Sequence, residues 1–420
     1  MFERFAKKVK IAFSDPVIRK RILYTLGGLF LFRLLATVPA PGIGEANLAP
    51  FFADNQFLGL LNIFSGGGLS SISIVMLGVG PYITASIIMQ LLTVMSPRLK
   101  SLYHEEGQAG KRKFTQYSRL LTVPLGAVQA FGFLTLLQRQ GVISGLSGFD
   151  FLVNVIVITG GAMLLMWIGE LITEFGVGNG ISLLIFAGIV ALLPSTIDQL
   201  ILTYTPAQLP LYLGFAAVSA VIVYGIVMVT EAIRPVPITY AKQRGQGSGD
   251  VSTYLPLKVN QAGVMPIIFA LSIMLFPQMI INFLGAAPNA TGFVGFLQSI
   301  YQNNVLYAVI YFVLVFLFTF FYTAITFEPD SVAENLQKSG AFIPGVRPGE
   351  STRKHIARIL SRVTFSGAVF LGLIAVLPII MQQITGAQSL AIGGTALLIV
   401  VAVLVDLIKR LDGQIAMRQY

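Results

Sequence analysis

Residues 181–194 read Ile181-Ser-Leu-Leu-Ile-Phe-Ala-Gly-Ile-Val-Ala-Leu-Leu-Pro194, and whether this short apolar run crosses a bilayer decides the fold. A helix needs about 20 residues to span the hydrocarbon core, so a run this short also suits a re-entrant segment. Further apolar runs lie near residues 22–38, 74–95, 118–138, 152–173, 211–232, 263–284, 305–327, 361–381 and 392–409, and the run in question extends from about residue 179. As a crossing it makes the number of spans even; as a re-entrant segment it makes that number odd.

Charge chooses between the two. With ten crossings, the segments before the first span and after the second, sixth, eighth and tenth hold 26 of the 28 Lys and Arg residues. The opposite loops hold Arg139 with the acids Glu45, Asp54, Asp150 and Asp198, and Arg33 lies inside the first run. Lys and Arg concentrate on the cytoplasmic side of a membrane. Both termini are therefore predicted to be cytoplasmic, and residues 181–194 are predicted to cross.

Composition agrees with this membrane reading. The chain has 420 residues, 55% apolar and 11% charged, with a mean hydropathy of +0.80. A net charge of +10 suits nucleic acid in isolation, but here the basic residues sit between runs long enough to span a bilayer. The absence of cysteine excludes disulfides, thiolate metal sites and cysteine nucleophiles together. The first apolar run ends at Val38-Pro39-Ala40-Pro41 without a small-x-small cleavage site, so it reads as an uncleaved anchor. In residues 1–21, Phe2, Phe5, Ala6, Val9 and Phe13 recur at helical spacing among Lys7, Lys8 and Lys10. That pattern fits an interfacial helix on anionic lipid, and equally a basic flank that only sets topology.

The spans divide five and five into residues 22–194 and 211–409, joined by an external loop at 195–210 and followed by a tail at 410–420. An odd number of spans per half orients two related halves oppositely. Gly78, Gly80 and Pro81 open the second span, and Gly263 and Pro266 open the seventh, the second of its half. Paired Gly/Pro breaks at matching positions point to the working site of an inverted-repeat transport protein. Before the second span, residues 59–71 read Gly-Leu-Leu-Asn-Ile-Phe-Ser-Gly-Gly-Gly-Leu-Ser-Ser, too short and polar to cross. Irregular backbone at membrane depth must be buried in protein or line a water-filled cavity. A re-entrant element and an ordinary surface loop both fit these residues. Cytoplasmic loops 233–260 and 328–360 combine Pro, Gly and basic residues with Tyr240, Tyr254, Phe342 and Ile343, which suits docking loops.

Several chemistries are missing. No predicted span carries a mid-membrane Asp, Glu, Lys or His of the kind that coupled carriers use. Arg33, Glu170 and Asp406 lie toward span ends, where snorkelling or a helix-end partner accounts for them. Gly107-Gln-Ala-Gly-Lys-Arg112 lacks the glycine spacing and the Ser/Thr of a phosphate loop. Gly176-Val-Gly-Asn-Gly180 reads as a tight helix reversal, since no strand precedes it. His104 and His355 form no metal pair, no nucleophile and base pair convincingly, and no cofactor is implied.

At these loops and breaks the chain resembles the SecY family, the pore-forming subunits of the bacterial protein-conducting channel. The resemblance runs from about Ile22 to Asp406. It rests on Pro39-Ala-Pro-Gly-Ile43, Asn62-Ile-Phe-Ser-Gly-Gly67 with Gly80-Pro-Tyr-Ile-Thr-Ala-Ser-Ile87, and Gly176-Val-Gly-Asn-Gly-Ile-Ser182 with Ile185-Phe-Ala-Gly188. Tyr240-Ala-Lys242, Leu255-Pro-Leu-Lys-Val-Asn-Gln-Ala-Gly263, and Ala333-Glu-Asn-Leu336 with Phe342-Ile-Pro-Gly-Val-Arg-Pro-Gly349 complete it.

The resemblance implies an all-α polytopic membrane protein, with ten transmembrane helices in two inverted five-helix halves around an hourglass pore. It implies a pore ring of Val79, Ile83, Val177, Ile181, Ile268 and Ile399, where aliphatic side chains deform around a passing chain and impede ions by dewetting. It makes residues 59–71 the plug, with Leu61, Asn62, Ile63, Phe64, Ser65, Gly66, Gly67, Gly68, Leu69 and Ser70 at its centre. The pore would open sideways between spans 2 and 3 on one half and 7 and 8 on the other, with Gln90, Gln129 and Asn260 along this lateral gate; a helix-packing role suits those three equally. Arg347, supported by Arg234, Lys242 and Arg244, would dock the motor SecA or a ribosome, offering a guanidinium to carboxylate or rRNA phosphate. Many family members have adjacent arginines where this chain has Arg234-Pro235, which weakens the first of these contacts. The implied partners are the small membrane subunits SecE and SecG, SecA, the ribosome, signal peptides, nascent chains and membrane lipid. The implied location is the bacterial cytoplasmic membrane. The rival readings are a secondary transporter for a small solute and a membrane enzyme.

Overall fold

The computed structural model describes residues 14–43, 62, 65–139, 141, 143, 147–202, 206, 209–240, 253–284, 292–385 and 388–419. Helix α1 spans Pro16–Ala36, α2 Gly80–Met95, α3 Pro97–His104, α4 Gly107–Arg139, α5 Gly148–Phe175, α6 Gly180–Leu202 and α7 Leu209–Glu231. Strands β1 (Ile233–Tyr240) and β2 (Thr253–Lys258) follow, then α8 (Met265–Leu284), α9 (Phe293–Gln302), α10 (Asn304–Thr326) and α11 (Pro329–Lys338). The two-residue strand β3 (Ala341–Phe342) precedes α12 (Glu350–Thr385) and α13 (Gln388–Gln419).

Residues 181–194 are helical and belong to α6, which runs past Pro194 to Leu202. The external loop expected from residue 195 therefore begins as helix. Each predicted span falls on a helix, but the second starts later than expected. Residues 73–79 are non-helical, and α2 begins at Gly80. Gly78 has φ 58° two residues before α2, and Gly263 has φ 63° two residues before α8; Pro81 and Pro266 each stand second in their helix. A left-handed glycine followed by proline in the first turn suits an abrupt helix start, because proline lacks the amide that the first turn would leave unbonded. The Gly/Pro breaks read from the sequence thus have one backbone geometry at both positions.

Among the described residues, four helical segments are long and apolar enough to cross a membrane: Gly107–Arg139, Gly148–Phe175, Asn304–Lys338 and Glu350–Met381. Shorter apolar segments occupy Gly80–Met95, Gly180–Ser195, Ala216–Glu231 and Met265–Met274. Phe30, Val221 and Leu373 are exposed on their helices, as befits faces turned to lipid. Lipid gives apolar side chains little reason to associate, so packing must come from close backbone approach. Gly180 shows this: a Cβ there would stand 1.9 Å from the Gly169 carbonyl oxygen, so only glycine lets α6 turn back against α5.

At the start of α1, Ile18 packs with Ile415 near the end of α13, joined by Ile22 and Leu411. The two described ends of the chain therefore lie side by side. Asp15 caps α1, accepting from the Val17 and Ile18 amides at 2.8 and 3.2 Å.

The fold departs from pure helix in the two long loops. β1 pairs antiparallel with β2 (Val236 opposite Leu255) and with β3 (Thr239 opposite Phe342), giving the order β2-β1-β3. Val236, Leu257, Ile343 and Ile356 form a small separate core with Leu255, Phe327, Val332 and Leu336 around it. Of the four apolar residues that marked these loops as docking loops, Ile343 is buried in this core. Tyr254 remains exposed.

Candidate functional site

The largest apolar cluster brings together Val79 before α2, Ile83 in α2, Ile268 in α8 and Ile399 in α13, each no more than 7% exposed, with Ile181 of α6 packed against it. Five of the six expected ring residues thus belong to one apolar cluster to which helices of both halves contribute, and Ile83, Ile181 and Ile268 also line one cavity. Val177 is buried but outside this cluster. It sits in the α5–α6 reversal, where its amide donates to Thr25 Oγ1 at 3.0 Å. Ile185, one turn after Ile181 and 1% exposed, belongs to the cluster and lines the cavity described next. The i, i+4 spacing was a signal in the sequence, since residues four apart share a helix face.

A cavity of about 440 Å³ is lined by Ile83, Ile181, Ile185 and Ile268 together with Ser86, Gln90, Asn179 and Ser182. Arg119 of α4 and Glu170 of α5 face the same space and form a bidentate ion pair, Nε to Oε1 and Nη2 to Oε2 both 2.8 Å. The span-end acid therefore has its partner across a helix interface. An adjoining cavity of about 310 Å³ shares Asn179, Ser182, Met265 and Tyr322 with the first and adds Lys258, Asn260, Asp406 and Arg410. A polar mouth thus opens onto aliphatic side chains, which can admit a hydrated chain while holding no particular residue.

Of the expected gate residues, Gln90 lines the first cavity and Asn260 the second; Gln129 is half-buried and lines neither. Asn260 donates to the Gly263 carbonyl at 3.1 Å, at the start of α8. Gln90 Oε1 and Asn260 Oδ1 are buried acceptors that receive no hydrogen bond among the described residues. Such groups normally find a donor, so each has acceptor capacity to spare. Helix α8 packs against both α2 and α4, so the halves touch along this seam.

Of the expected plug, Asn62 and residues 65–70 are described; Leu61, Ile63 and Phe64 lie outside the described residues. Residues 65–70 form consecutive turns, not an exposed loop: Ser65 and Leu69 are buried, and Ser65 Oγ accepts from the Leu69 amide at 3.0 Å. Gly66 has φ 66°, and a Cβ there would meet Phe32 Cζ at 2.5 Å. The Arg33 guanidinium donates to the Gly66 carbonyl through Nη1 at 2.8 Å.

Arg347 is exposed on the turn between β3 and α12, with Gly345 at φ 80° and Gly349 at φ 94° on either side. Its carbonyl accepts from the buried Thr352 hydroxyl at 2.9 Å. Arg353 braces the base of the turn, bonding both oxygens of Glu350 and reaching Asp330 of α11 at 3.2 Å. The hydrogen bond from Arg353 is the main cause that holds the Glu350 carboxyl below the usual carboxylate range. Arg234 is exposed on β1 opposite Leu257, while Lys242 and Arg244 lie outside the described residues.

A helical membrane fold with an apolar core shared by two halves, a polar cavity beside it and a buried glycine-rich segment is that of a polytopic membrane channel. The SecY family pattern matches residues 73–408. The protein translocase subunit SecY of Mycobacterium tuberculosis (strain ATCC 25618 / H37Rv) is 41% identical over 428 residues, covering 96% of each chain. Among solved structures, that of a protein-conducting channel superposes with a TM-score of 0.69 at 18% identity, covering 95% of this chain and 93% of the other. Sec61 in the canine ribosome–channel complex from the endoplasmic reticulum superposes with a TM-score of 0.63 at 18% identity, with the same coverage. This chain belongs to the SecY family.

Proposed function

We propose that this chain is the central channel subunit of a bacterial Sec translocon, conducting unfolded secretory polypeptides across the membrane and releasing apolar segments sideways into lipid. The observation that carries this reading is that Val79, Ile83, Ile181, Ile268 and Ile399, drawn from both halves, share one apolar cluster beside a polar cavity that Ile83, Ile181 and Ile268 line. Such a constriction suits many sequences in turn, because aliphatic contacts impose no hydrogen-bond pattern on what passes. The proposed protein crosses the cytoplasmic membrane ten times with both ends inside. Side-by-side packing of Ile18 and Ile415 supports an even number of crossings.

In this proposal residues 59–71 plug the resting pore, and the α2/α4–α8 seam is the lateral gate. Conduction is passive. The proposed driving partners are SecA and the ribosome, received on the face carrying Arg347, and SecE and SecG are the proposed small membrane partners. The exposed guanidinium of Arg347 on a braced turn supports a contact with carboxylate or RNA phosphate. A stalled precursor crosslinked in intact membranes tests the path: contact with both Ile83 and Ile268 is expected. Contact with neither, in a reconstituted system that accumulates a solute down an ion gradient, overturns the proposal.

A further inference from the structure

Arg33 is one of two basic residues outside the basic cytoplasmic segments, and it stands one turn before the end of α1. A cation near a helix C-terminus is favoured by the helix dipole, which gives Arg33 an unremarkable reason to be there. Its guanidinium, however, bonds the Gly66 carbonyl, 33 residues away at the turn of the glycine-rich segment. The geometry around that bond is closely determined. Gly66 lies over Phe32, a Cβ on it would stand 3.1 Å from Gly188 Cα of α6, and a Cβ on Gly67 would stand 3.2 Å from Leu192 Cδ2. The turn is therefore seated between α1 and α6, with the Arg33 fork across it.

Other ties from the segment, to the last residue of α1 and to the chain after it, are of another kind. Ser71 Oγ donates to the Ala36 carbonyl at 3.0 Å, the Ala40 amide to Ile72 at 2.9 Å, and the Ile74 amide to Val38 at 3.0 Å. These fix the base of the segment, downstream of the glycines. They can persist while the turn at 65–68 swings away. The Arg33 bond cannot, because it grips the turn itself.

We propose that Arg33 is a positioning residue that latches residues 65–68 onto α1 and so sets how often the resting channel opens. The inference rests on the plug reading above and names the group that controls it. A charge-assisted hydrogen bond on a partly exposed group is strong enough to bias a two-state element, yet weak enough to be replaced when a polypeptide competes for the seat.

The chain's lack of cysteine supplies the test, because Ser65→Cys places a single, nearly isosteric thiol at a buried position of the turn. In the full translocon reconstituted into vesicles, modification by a membrane-impermeant maleimide is expected to speed up about tenfold when Arg33→Leu is added, the size of effect one charge-assisted hydrogen bond produces. Arg33→Lys keeps the cation but loses the planar fork, and is expected to give a smaller rise; it also serves if the leucine variant inserts poorly. Resting ion leak should rise in parallel, and Arg33→Leu should add nothing once residues 62–71 are deleted. Unchanged labelling in both variants overturns the proposal, as does a leak that Arg33→Leu raises equally with and without the segment. A deletion that by itself leaves leak unchanged overturns the plug reading instead, and the thiol still reports whether Arg33 holds the turn.

Discussion

The Thr352 hydroxyl donates to the carbonyl of Arg347 at 2.9 Å from a position only 1% exposed, so the tip of the proposed docking turn is fixed from beneath by the first turn of α12. Thr352→Val keeps the shape and removes that donor, at a cost of about 1 kcal/mol to the local structure. The expected result is motor-driven export slowed about two- to fivefold with membrane insertion of the chain unchanged. Thr352→Ser should restore the rate. In vitro export of a precursor, measured beside the amount of folded protein in the membrane, checks both. Arg347→Glu should be more severe, since it reverses the charge itself.

The brace below that turn predicts a pH effect of definite sign. The Glu350 carboxyl is held below its usual range, chiefly by the Arg353 hydrogen bond. A carboxyl whose pKa falls on folding contributes stability above its unfolded value, and that contribution disappears as pH drops through the lowered value. Glu350 and Arg353 are solvent-exposed, so the contribution is small and sensitive to salt. Amide exchange in residues 341–358 should therefore speed up as pH falls from about 5 to about 3, after correction for intrinsic exchange. In Glu350→Gln that acid-dependent component should be smaller.

Arg119 and Glu170 join α4 to α5 at the edge of the larger cavity through two bonds of 2.8 Å. Truncating either partner should destabilise the protein by about 1–2 kcal/mol, between the values for exposed and buried pairs. The reversed pair Arg119→Glu with Glu170→Arg should recover most of the loss, though the altered side-chain reach prevents full recovery. Thermal unfolding of the two single variants and the double variant in detergent measures the coupling. Strict additivity of the two losses would show that the pair contributes nothing as a pair.

The lengths of the apolar runs and the charge asymmetry along the chain made the helical membrane fold readable from the sequence; residues 181–194, read there as a crossing, are helical. The glycine–proline openings of α2 and α8 were also legible, because their backbone geometry depends on residue types that few other positions require. The three-stranded sheet was not. Pro235, Pro237 and Pro256 argue against strands, since proline donates no ladder hydrogen bond. Only contact between loops 233–260 and 328–360, far apart in sequence, lets β1 pair with β3. The Arg33–Gly66 bond was equally hidden, because a side-chain bond to a carbonyl leaves no trace in the acceptor's identity. At the proposed constriction, aliphatic residues are so common in this chain that composition could not select among neighbours on one helix.

That last ambiguity can be resolved at two positions. Val177 and Ile185 are both buried, at 2% and 1% exposure, yet only Ile185 shares the aliphatic cluster with Ile83, Ile268 and Ile399 and also lines the larger cavity. A polar side chain in the constriction should let it wet and pass ions, whereas the same change in the α5–α6 reversal should only loosen local packing. Ile185→Ser is therefore expected to raise resting ion leak several-fold, and Val177→Ser to leave leak near the wild-type value while lowering thermal stability by about 1–2 kcal/mol. Because the Val177 amide bond to Thr25 is made by backbone, the substitution leaves it in place and tests the side chain alone. Conductance of the two variants in planar bilayers, compared with Ile83→Ser as a positive reference, decides the matter. A leak that follows Val177 and ignores Ile185 would return the ring to the set read from the sequence.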